Sequence, residues 1–394
     1  MRILVVLSRV PWPLEKGDKL RAYHLIRELS KKHEIILFCL SDQEVHPDAE
    51  RKLNEFCTEV LIHRLSRAGL LFRLLTSFFN GLPFQVNYFS SKRAQRVFDR
   101  YLEEHIPQHI YCQLVRTAGY AMPYPTLPKT MDYMDALSTG MNRMSKAARW
   151  PMSIIMKLEQ RRLAAYEALI YDHFDQHSII SEQDGQSMQL PGKVHVIPNG
   201  IDERFFEAGD TPKTRDILFT GNMNYRPNVE SARYLVNEIM PIVWAKHPGL
   251  KVCLAGANPA PAIRALASSK VEVTGWVDDI VEVYRSARIF AAPMLINSGM
   301  QNKLLEAMAT GLPCITTTLA NDAIGSKPGT EIHIGDNAQD FAQHIIALAE
   351  REDQRKSYGE AGRAFVTSRY SWATEADRLE KVFMSEELPM NTLA

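Results

Sequence analysis

Short, almost wholly apolar runs alternate with segments of helical spacing from residue 2 onward. That alternation restricts the chain to α/β architectures built on parallel sheets. Residues 2–8 form the first run, ended by Ser8 and a Pro-rich turn. Leu20, Tyr23, Leu25, Ile26 and Leu29 then fall at helical spacing within 19–30, and His33 to Leu40 is a second run. Strand, helix, strand at this spacing predicts a parallel sheet that begins at the first residues. Further strands are predicted at 109–115, 130–135, 177–181 and 194–197, with a helical pattern at 151–172. A second set starts after Pro198-Asn199-Gly200, with strand-like runs at 217–220, 252–255, 271–274, 289–292, 314–317 and 332–334. Between the first two, Val229, Ala232, Leu235, Val236, Ile239 and Val243 share one side of a helix over 228–243. Two α/β domains result, 1–200 and 201–370, with a break near 198–212. Residues 371–394 form a last helix and tail, with Ser371 as N-cap and Trp372, Ala376, Leu379 and Phe383 at helical spacing. This helix packs on the second domain or crosses back to the first; the pattern alone leaves both open.

Composition closes off other classes. A chain of 394 residues suits two or three domains, and 45% hydrophobic with 23% charged residues is a globular mix, not a disordered or fibrous one. Lys and Arg number 46, as do Asp and Glu, which argues against a dedicated nucleic-acid binder. The balance hides an asymmetry: residues 1–200 carry 26 basic against 21 acidic residues, and 201–394 carry 20 against 25. Cys39, Cys57, Cys112, Cys253 and Cys314 are scattered and odd in number, which fits buried thiols in a reducing, cytoplasmic setting. The twelve His show no zinc-ligand spacing, and no Walker or Gly-x-Ser-x-Gly motif occurs. No apolar run approaches the ~18 residues of a membrane span, and the Ile3 to Leu7 run is too short for a signal peptide. Membrane contact is therefore expected at the surface only.

Residues 293–318 carry the most chemistry. A strand ends near Pro293, a polar loop with Gly299 follows, and a helix runs from about Asn302 to Thr310, stopped by Gly311. Leu304, Leu305 and Met308 cover its buried side, and Asn302 and Glu306, four apart, share the other. A glycine loop feeding a helix N-terminus favours an anion such as phosphate, and Lys303 adds charge in the first turn. Glu306 is placed to accept hydrogen bonds from a diol such as ribose. An ordinary loop entering a helix, with Glu306 solvated, is the competing reading of these residues alone.

Glu306-Ala-Met-Ala-Thr-Gly-Leu-Pro313 resembles the donor-site signature of family-4 glycosyltransferases of the GT-B fold. Val196-Ile-Pro-Asn-Gly-Ile-Asp202 resembles their interdomain motif, Phe219-Thr-Gly-Asn-Met223 the first strand and phosphate loop of the C-terminal domain, and Val273-Thr-Gly-Trp-Val-Asp-Asp279 the base-binding strand and turn. Tyr370-Ser-Trp372 resembles the start of the last helix. The Gly-Met-Gln-Asn-Lys variant and the opening Pro-x-x-x-Gly-Asp are similar to a subgroup of bacterial exopolysaccharide sugar transferases. The resemblance implies two Rossmann-like, doubly wound domains facing a cleft, the first binding acceptor and the second a UDP- or GDP-sugar. Glu306 would hold the ribose, and Gly299, Met300, Gln301, Asn302 and Lys303 the diphosphate. Gly275, Trp276 and Val277 would line the base. Gly221, Asn222 and Arg226 would lie near the phosphates, and Gly17 would approach them from the first domain. Arg226 as a solvated residue before Pro227 is the competing reading.

Three positions depart from the family pattern. Ser298 stands where many relatives have a Glu that contacts the donor sugar. Asn222 stands where many have Arg. Asp135 occupies the place of a His near the end of the 130–135 strand. The implied catalytic groups are thus Asp135, Arg226 and Lys303, with retention of anomeric configuration and no essential metal or cofactor. The acceptor is expected to be a glycan or lipid-linked. Two other readings stay open: a non-catalytic partner in a polysaccharide assembly, and a nucleotide-sugar epimerase of the same fold.

Three smaller readings complete the sequence. Asp278-Asp279 reads as a helix-start cap rather than a metal-binding pair. His24 faces the cleft or is a simple helix position. Over 64–79, Arg64, Arg67 and Arg73 interrupt a series of Leu and Phe, a basic amphipathic pattern suited to an anionic membrane surface; a core-packed helix with solvated arginines is the alternative.

Overall fold

The computed structural model describes all residues except 15, 149, 189, 208, 210, 297–299 and 386–394, and omits the side chains of 67, 68, 71, 72 and 147. The chain divides into two compact units, one of Met1–Gly200 with the helix Trp372–Phe383, the other of Ile201–Ser371.

The first unit is a parallel sheet of seven strands: β1 (Arg2–Leu7), β2 (Glu34–Ser41), β3 (Glu59–Arg64), β4 (His109–Gln113), β5 (Lys129–Asp132), β6 (Gln176–Ile179) and β7 (His195–Val196), in the order β3-β2-β1-β4-β5-β6-β7. Ile3 to Leu7 and Ile35 to Leu40 are all buried, because helices cover both faces; strands buried on both faces read as continuous apolar runs. The strand predicted at 130–135 ends at Asp132, whose carboxylate accepts the Met134 amide (3.3 Å) and turns the chain. The last helix packs on the first helix, Gly17–Leu29, within this unit. Gly200 lets it start there: a Cβ at 200 would stand 2.4 Å from the Trp372 nitrogen. His24 is buried and stacks on Trp372 with ring centroids 5.0 Å apart, so it is a core residue of the helix and not an open one.

The second unit holds β8 (Arg215–Thr220), β9 (Val252–Ala255), β10 (Val271–Gly275), β11 (Ala287–Ala292), β12 (Cys314–Thr316) and β13 (His333–Ile334), all parallel, in the order β10-β9-β8-β11-β12-β13. Counted within the unit this is the 3-2-1-4-5-6 order of doubly wound sheets. The helix predicted over 228–243 is realised as Arg226–Tyr234, a π turn at Leu235–Ile239 and Met240–Lys246. All five cysteines are buried and free. Among the described residues no helix is long and apolar enough to cross a membrane.

Candidate active site

In a doubly wound sheet the crevice for a ligand opens at the strand carboxyl ends, where the strand order reverses. In the second unit that point lies between β8 and β11, and the sequence candidates gather there. β8 ends at Thr220, followed by Gly221. A Cβ on Gly221 would meet the Asn228 side chain at 2.6 Å, and one on Gly256, after β9, would meet the Gly221 carbonyl at 1.8 Å. Gly256 therefore permits a backbone approach that no other residue fits, while Gly221, at φ +151°, leaves room for the Asn228 side chain. The chain after β11 returns as the helix Asn302–Ala309, whose N-terminal residue Gln301 provides no side-chain cap. The Leu304 amide donates to the Gln301 carbonyl at 2.9 Å.

Glu306 and Lys303 lie one turn apart on this helix, each half-buried. The Tyr284 hydroxyl donates to Glu306 Oε2 at 2.9 Å, and Thr220 Oγ1 lies 2.6 Å from the same hydroxyl. With Tyr284 donating to the carboxylate, Thr220 donates to Tyr284. Glu306 is thus oriented through one oxygen. The Lys303 ammonium donates to Asn228 Oδ1 and stands 5.0 Å above the Phe219 ring. Asn228 in turn donates to the Asn222 carbonyl at 3.0 Å. Desolvation pushes the Glu306 carboxyl up, opposed by Tyr284 and Lys303. It pushes the Lys303 ammonium down to about 8, opposed by Glu306. Since both side chains keep some surface open, water screens part of these pushes and their directions carry the argument.

One cluster thus unites Glu306, Lys303, Gly221 and Asn222. Phe219 and Thr220, from the strand before the phosphate loop, join them, as do Tyr284 and Asn228, to which the sequence assigned no role. Tyr284 sits on a helix, and nothing in its spacing reveals a partner 22 residues away. Gln301 is buried and Met300 packs on the unit's core; Asn302 is half-buried. Gly275 ends β10 at φ +71°, a backbone that suits glycine, and its carbonyl accepts from Gly256 N at 3.1 Å. Trp276 is 70% exposed beside it, and Val277 packs on the core. Asp279 caps the following helix through Val281 N at 2.9 Å, as expected. Arg226 is exposed and pairs with none of the described residues. Ser298 and Gly299 lie outside the described residues.

Gly17 and Asp135 belong to the first unit. Gly17 opens the first helix with free space where a Cβ would stand, so the protein's own packing does not require a glycine there. Asp135 lies three residues past β5. Desolvation, then the charges of Asp184 and Asp132, push its carboxyl up to about 6, yet its surface is exposed. The open surface decides, because water screens the push, and only a modest rise is retained. The buried acid of this region is Asp132, paired with Arg21 at 2.7 Å, both fully buried. Arg21 also donates to the Pro198 carbonyl (3.2 Å) and to Asn199 Oδ1 (3.1 Å), so the Pro-Asn-Gly motif is anchored to the first helix. Among the described residues no group of three His, Cys, Asp or Glu could hold a metal ion.

One part of the basic segment behaves differently from expectation. Arg73, read as one of three arginines on a charged face, turns inward and donates to the Tyr88 carbonyl at 3.0 Å. Inside the fold a guanidinium that reaches a backbone acceptor is more stable than one left without it. Arg64 is exposed, and the side chain of Arg67 lies outside the described residues.

Residues 214–351 match the family described as Glycosyl transferases group 1. Over 386 residues the chain is 20% identical to an uncharacterized 44.6 kDa protein in the cps region of Klebsiella pneumoniae, covering 94% of this chain and 96% of that one. It is 27% identical over 212 residues to a GDP-mannose-dependent monoacylated alpha-(1-6)-phosphatidylinositol monomannoside mannosyltransferase of Corynebacterium glutamicum, covering 48% of this chain and 56% of the other. Two solved structures share the fold: sucrose-phosphate synthase of Thermosynechococcus elongatus, with a TM-score of 0.68, 14% identity and coverage of 98% and 99%, and Anabaena HepE in complex with UDP-glucose, with a TM-score of 0.66, 13% identity and coverage of 97% and 99%. Residues 214–351 thus carry a Glycosyl transferases group 1 domain, and the two parallel Rossmann-like sheets share the GT-B fold of these solved structures.

Proposed function

We propose that the protein moves a sugar from a UDP- or GDP-sugar to a glycan or lipid-linked acceptor, with retention of anomeric configuration, in bacterial exopolysaccharide or cell-surface polysaccharide synthesis. The observation that carries this reading is the Glu306–Tyr284 and Lys303–Asn228 cluster at the reversal point of the second sheet. Glu306 Oε2 is fixed by Tyr284, which orients the carboxylate toward two ribose hydroxyls. Lys303 and the first turn of its helix meet the diphosphate, and Arg226, exposed and unpaired among the described residues, adds charge. Stabilising the leaving diphosphate by groups already in place is generally the largest catalytic contribution. The reading assigns no metal and no protein nucleophile. Trp276 and Gly275 flank the base, and Ser298 and Gly299 stay assigned to the sugar and phosphate on resemblance alone. The cps-region relative and the lipid-directed mannosyltransferase support the pathway and acceptor class.

The first unit is assigned to the acceptor. A cavity of about 360 Å³ opens at the ends of β1 and β2, lined by Arg9, Trp12, Lys16, Lys19, Asp42 and Glu44 among others. An aromatic ring with acids and cations around it suits a sugar carrying phosphate. Asp135, close to the Arg21–Asp132 pair, is assigned to the acceptor's hydroxyl.

The test is calorimetric titration with nucleoside diphosphates. Lys303→Ala is expected to weaken the diphosphate far more than the bare nucleoside; equal loss for both would show that Lys303 acts only through structure. Proton uptake gives a second readout. Desolvation lowers the pKa of the Lys303 ammonium in the free protein, and an arriving diphosphate raises it. Binding at alkaline pH should therefore take up protons, and affinity should fall as pH rises through the free-protein pKa. The uptake, measured in two buffers of different ionisation heat, should vanish in Lys303→Ala.

A further inference from the structure

Large apolar side chains that stand in water mark a surface built to meet something. In the first unit they come from two segments far apart in sequence. Leu75, Phe78 and Phe79, at the end of the helix Arg67–Asn80, are 65%, 52% and 91% exposed. Trp150, Met152, Ile154 and Ile155, where the helix Met152–Tyr171 begins, are 80%, 50%, 57% and 37% exposed.

The fold brings the two segments together. Arg162 donates to the carbonyls of Ser77, Phe78 (3.4 Å) and Leu82 (3.2 Å), and its guanidinium lies over the Phe84 ring at 5.3 Å. Glu159 accepts the amides of Phe84 (2.6 Å) and Gln85 (3.1 Å). Phe78 packs edge-on to Phe84 at 4.9 Å. Ile155, Glu159 and Arg162 recur at i, i+4 and i+7, so Ile155 continues the line of this contact. From Arg162 to Ile155 the helix rises only ~10 Å. The exposed Phe78–Phe79 end and the exposed Ile155 end therefore adjoin.

Charge selects the occupant. Residues 60–98 contain six basic residues and no acid, and 136–158 contain four basic residues and no acid. The one acid that touches both segments, Glu159, is buried and spends its oxygens on backbone amides. Arg143, Lys146 and Lys157 are exposed, the first two on the helix Leu137–Ala147, which packs against the helix Met152–Tyr171 that carries the third. A partner protein matched to such a face would have to be acidic and apolar at once, whereas an anionic bilayer offers both as a continuous surface.

We propose that these two segments form one docking face by which the first unit lies on an anionic phospholipid bilayer, Phe78, Phe79 and Ile154 entering the interface and Arg143, Lys146 and Lys157 meeting the head groups. The face supplies a partner to the transferase reading and rests on it only for why a bilayer is useful, namely that a lipid-linked acceptor is held there. It also replaces the simpler picture of 64–79 alone, since Arg73 is spent inside the fold.

The test is co-sedimentation of the full chain with vesicles free of any glycolipid, either phosphatidylcholine alone or equal parts phosphatidylcholine and phosphatidylglycerol. Wild type should sediment with the anionic vesicles and not with the neutral ones, and raised salt should weaken it. Each basic residue beside an anionic surface is worth about fivefold in partition, so R143Q/K146Q/K157Q should lose about a hundredfold. F78S/F79S/I154S should lose binding at every salt concentration, while L319S, at an exposed leucine of the second unit, should bind as wild type. Nucleoside diphosphate affinity, measured in parallel, should be unchanged in all of them, which separates failure of the docking face from failure of the donor reading. The proposal is overturned if wild type does not sediment, if both triple variants sediment as wild type does, or if wild type self-associates without vesicles and F78S/F79S/I154S abolishes that association.

Discussion

Asp132→Ala is expected to destabilise the first unit by about 3–5 kcal/mol, the usual result of removing one partner of a buried ion pair. Asp132 and Arg21 have no exposed side-chain surface and stand 2.7 Å apart. Asp132 also accepts from the Tyr111 hydroxyl (2.7 Å) and from Ser178 (3.2 Å), so three elements lose their common acceptor at once. The larger cost is the guanidinium of Arg21, left charged and buried with the carbonyl of Pro198, Asn199 Oδ1 and the buried carboxyl of Glu375 to face. Replacing both partners, Arg21→Met with Asp132→Leu, should recover much of the loss, because no charge is then stranded. Hydrogen exchange of peptides from β1, β4 and β5, followed against urea, reads the effect. A loss under about 1 kcal/mol would mean that Arg21 finds water or another anion, and the pair would not be an anchor of the fold.

Glu306→Ala is expected to weaken nucleoside diphosphate binding by two to three orders of magnitude with the second unit intact. Two charge-assisted hydrogen bonds to a diol are worth about 1.5–3 kcal/mol each, and water entering the vacated space returns part of that. Tyr284 sharpens the expectation. Tyr284→Phe leaves the carboxylate in place without its guide, so its loss should be smaller and should fall on the nucleoside and the diphosphate alike. Unchanged affinity in Glu306→Ala would remove the ribose assignment. A 2′-deoxyribose ligand supplies an independent check, since it should lose affinity in wild type and little in the variant.

Much of the architecture is legible in the residues because its physics is local. Strands buried on both faces carry apolar side chains at nearly every position, which is why β1, β2 and β9 stand out as runs. β3 shows the opposite case. It is the edge strand of its sheet, Glu-Val-Leu-Ile-His-Arg, with side chains half-buried or exposed, so no continuous run marks it. The π turn at Leu235–Ile239 leaves the apolar spacing of that helix intact and is invisible to it. The site is legible only in part for the same reason. Glu306 and Lys303 stand one turn apart and can be paired by spacing. Tyr284, Thr220 and Asn228 reach them from other elements, and contacts 64 and 75 residues long leave no periodic trace. Arg73 shows the converse error. Its spacing sets it with Arg64 and Arg67, but a carbonyl 15 residues away in the folded chain claims it.

Transfer itself tests the central claim most directly. Labelled UDP- and GDP-sugars are incubated with the protein and a membrane extract from a capsule-producing bacterium, and label is followed into the lipid and glycan fractions. One donor should yield a labelled product that needs both the protein and the extract, with the anomeric configuration of the donor retained and the signal lost in Glu306→Ala. The account is contradicted if no donor gives transfer and no nucleoside diphosphate binds, or if the sugar nucleotide is isomerised without any acceptor.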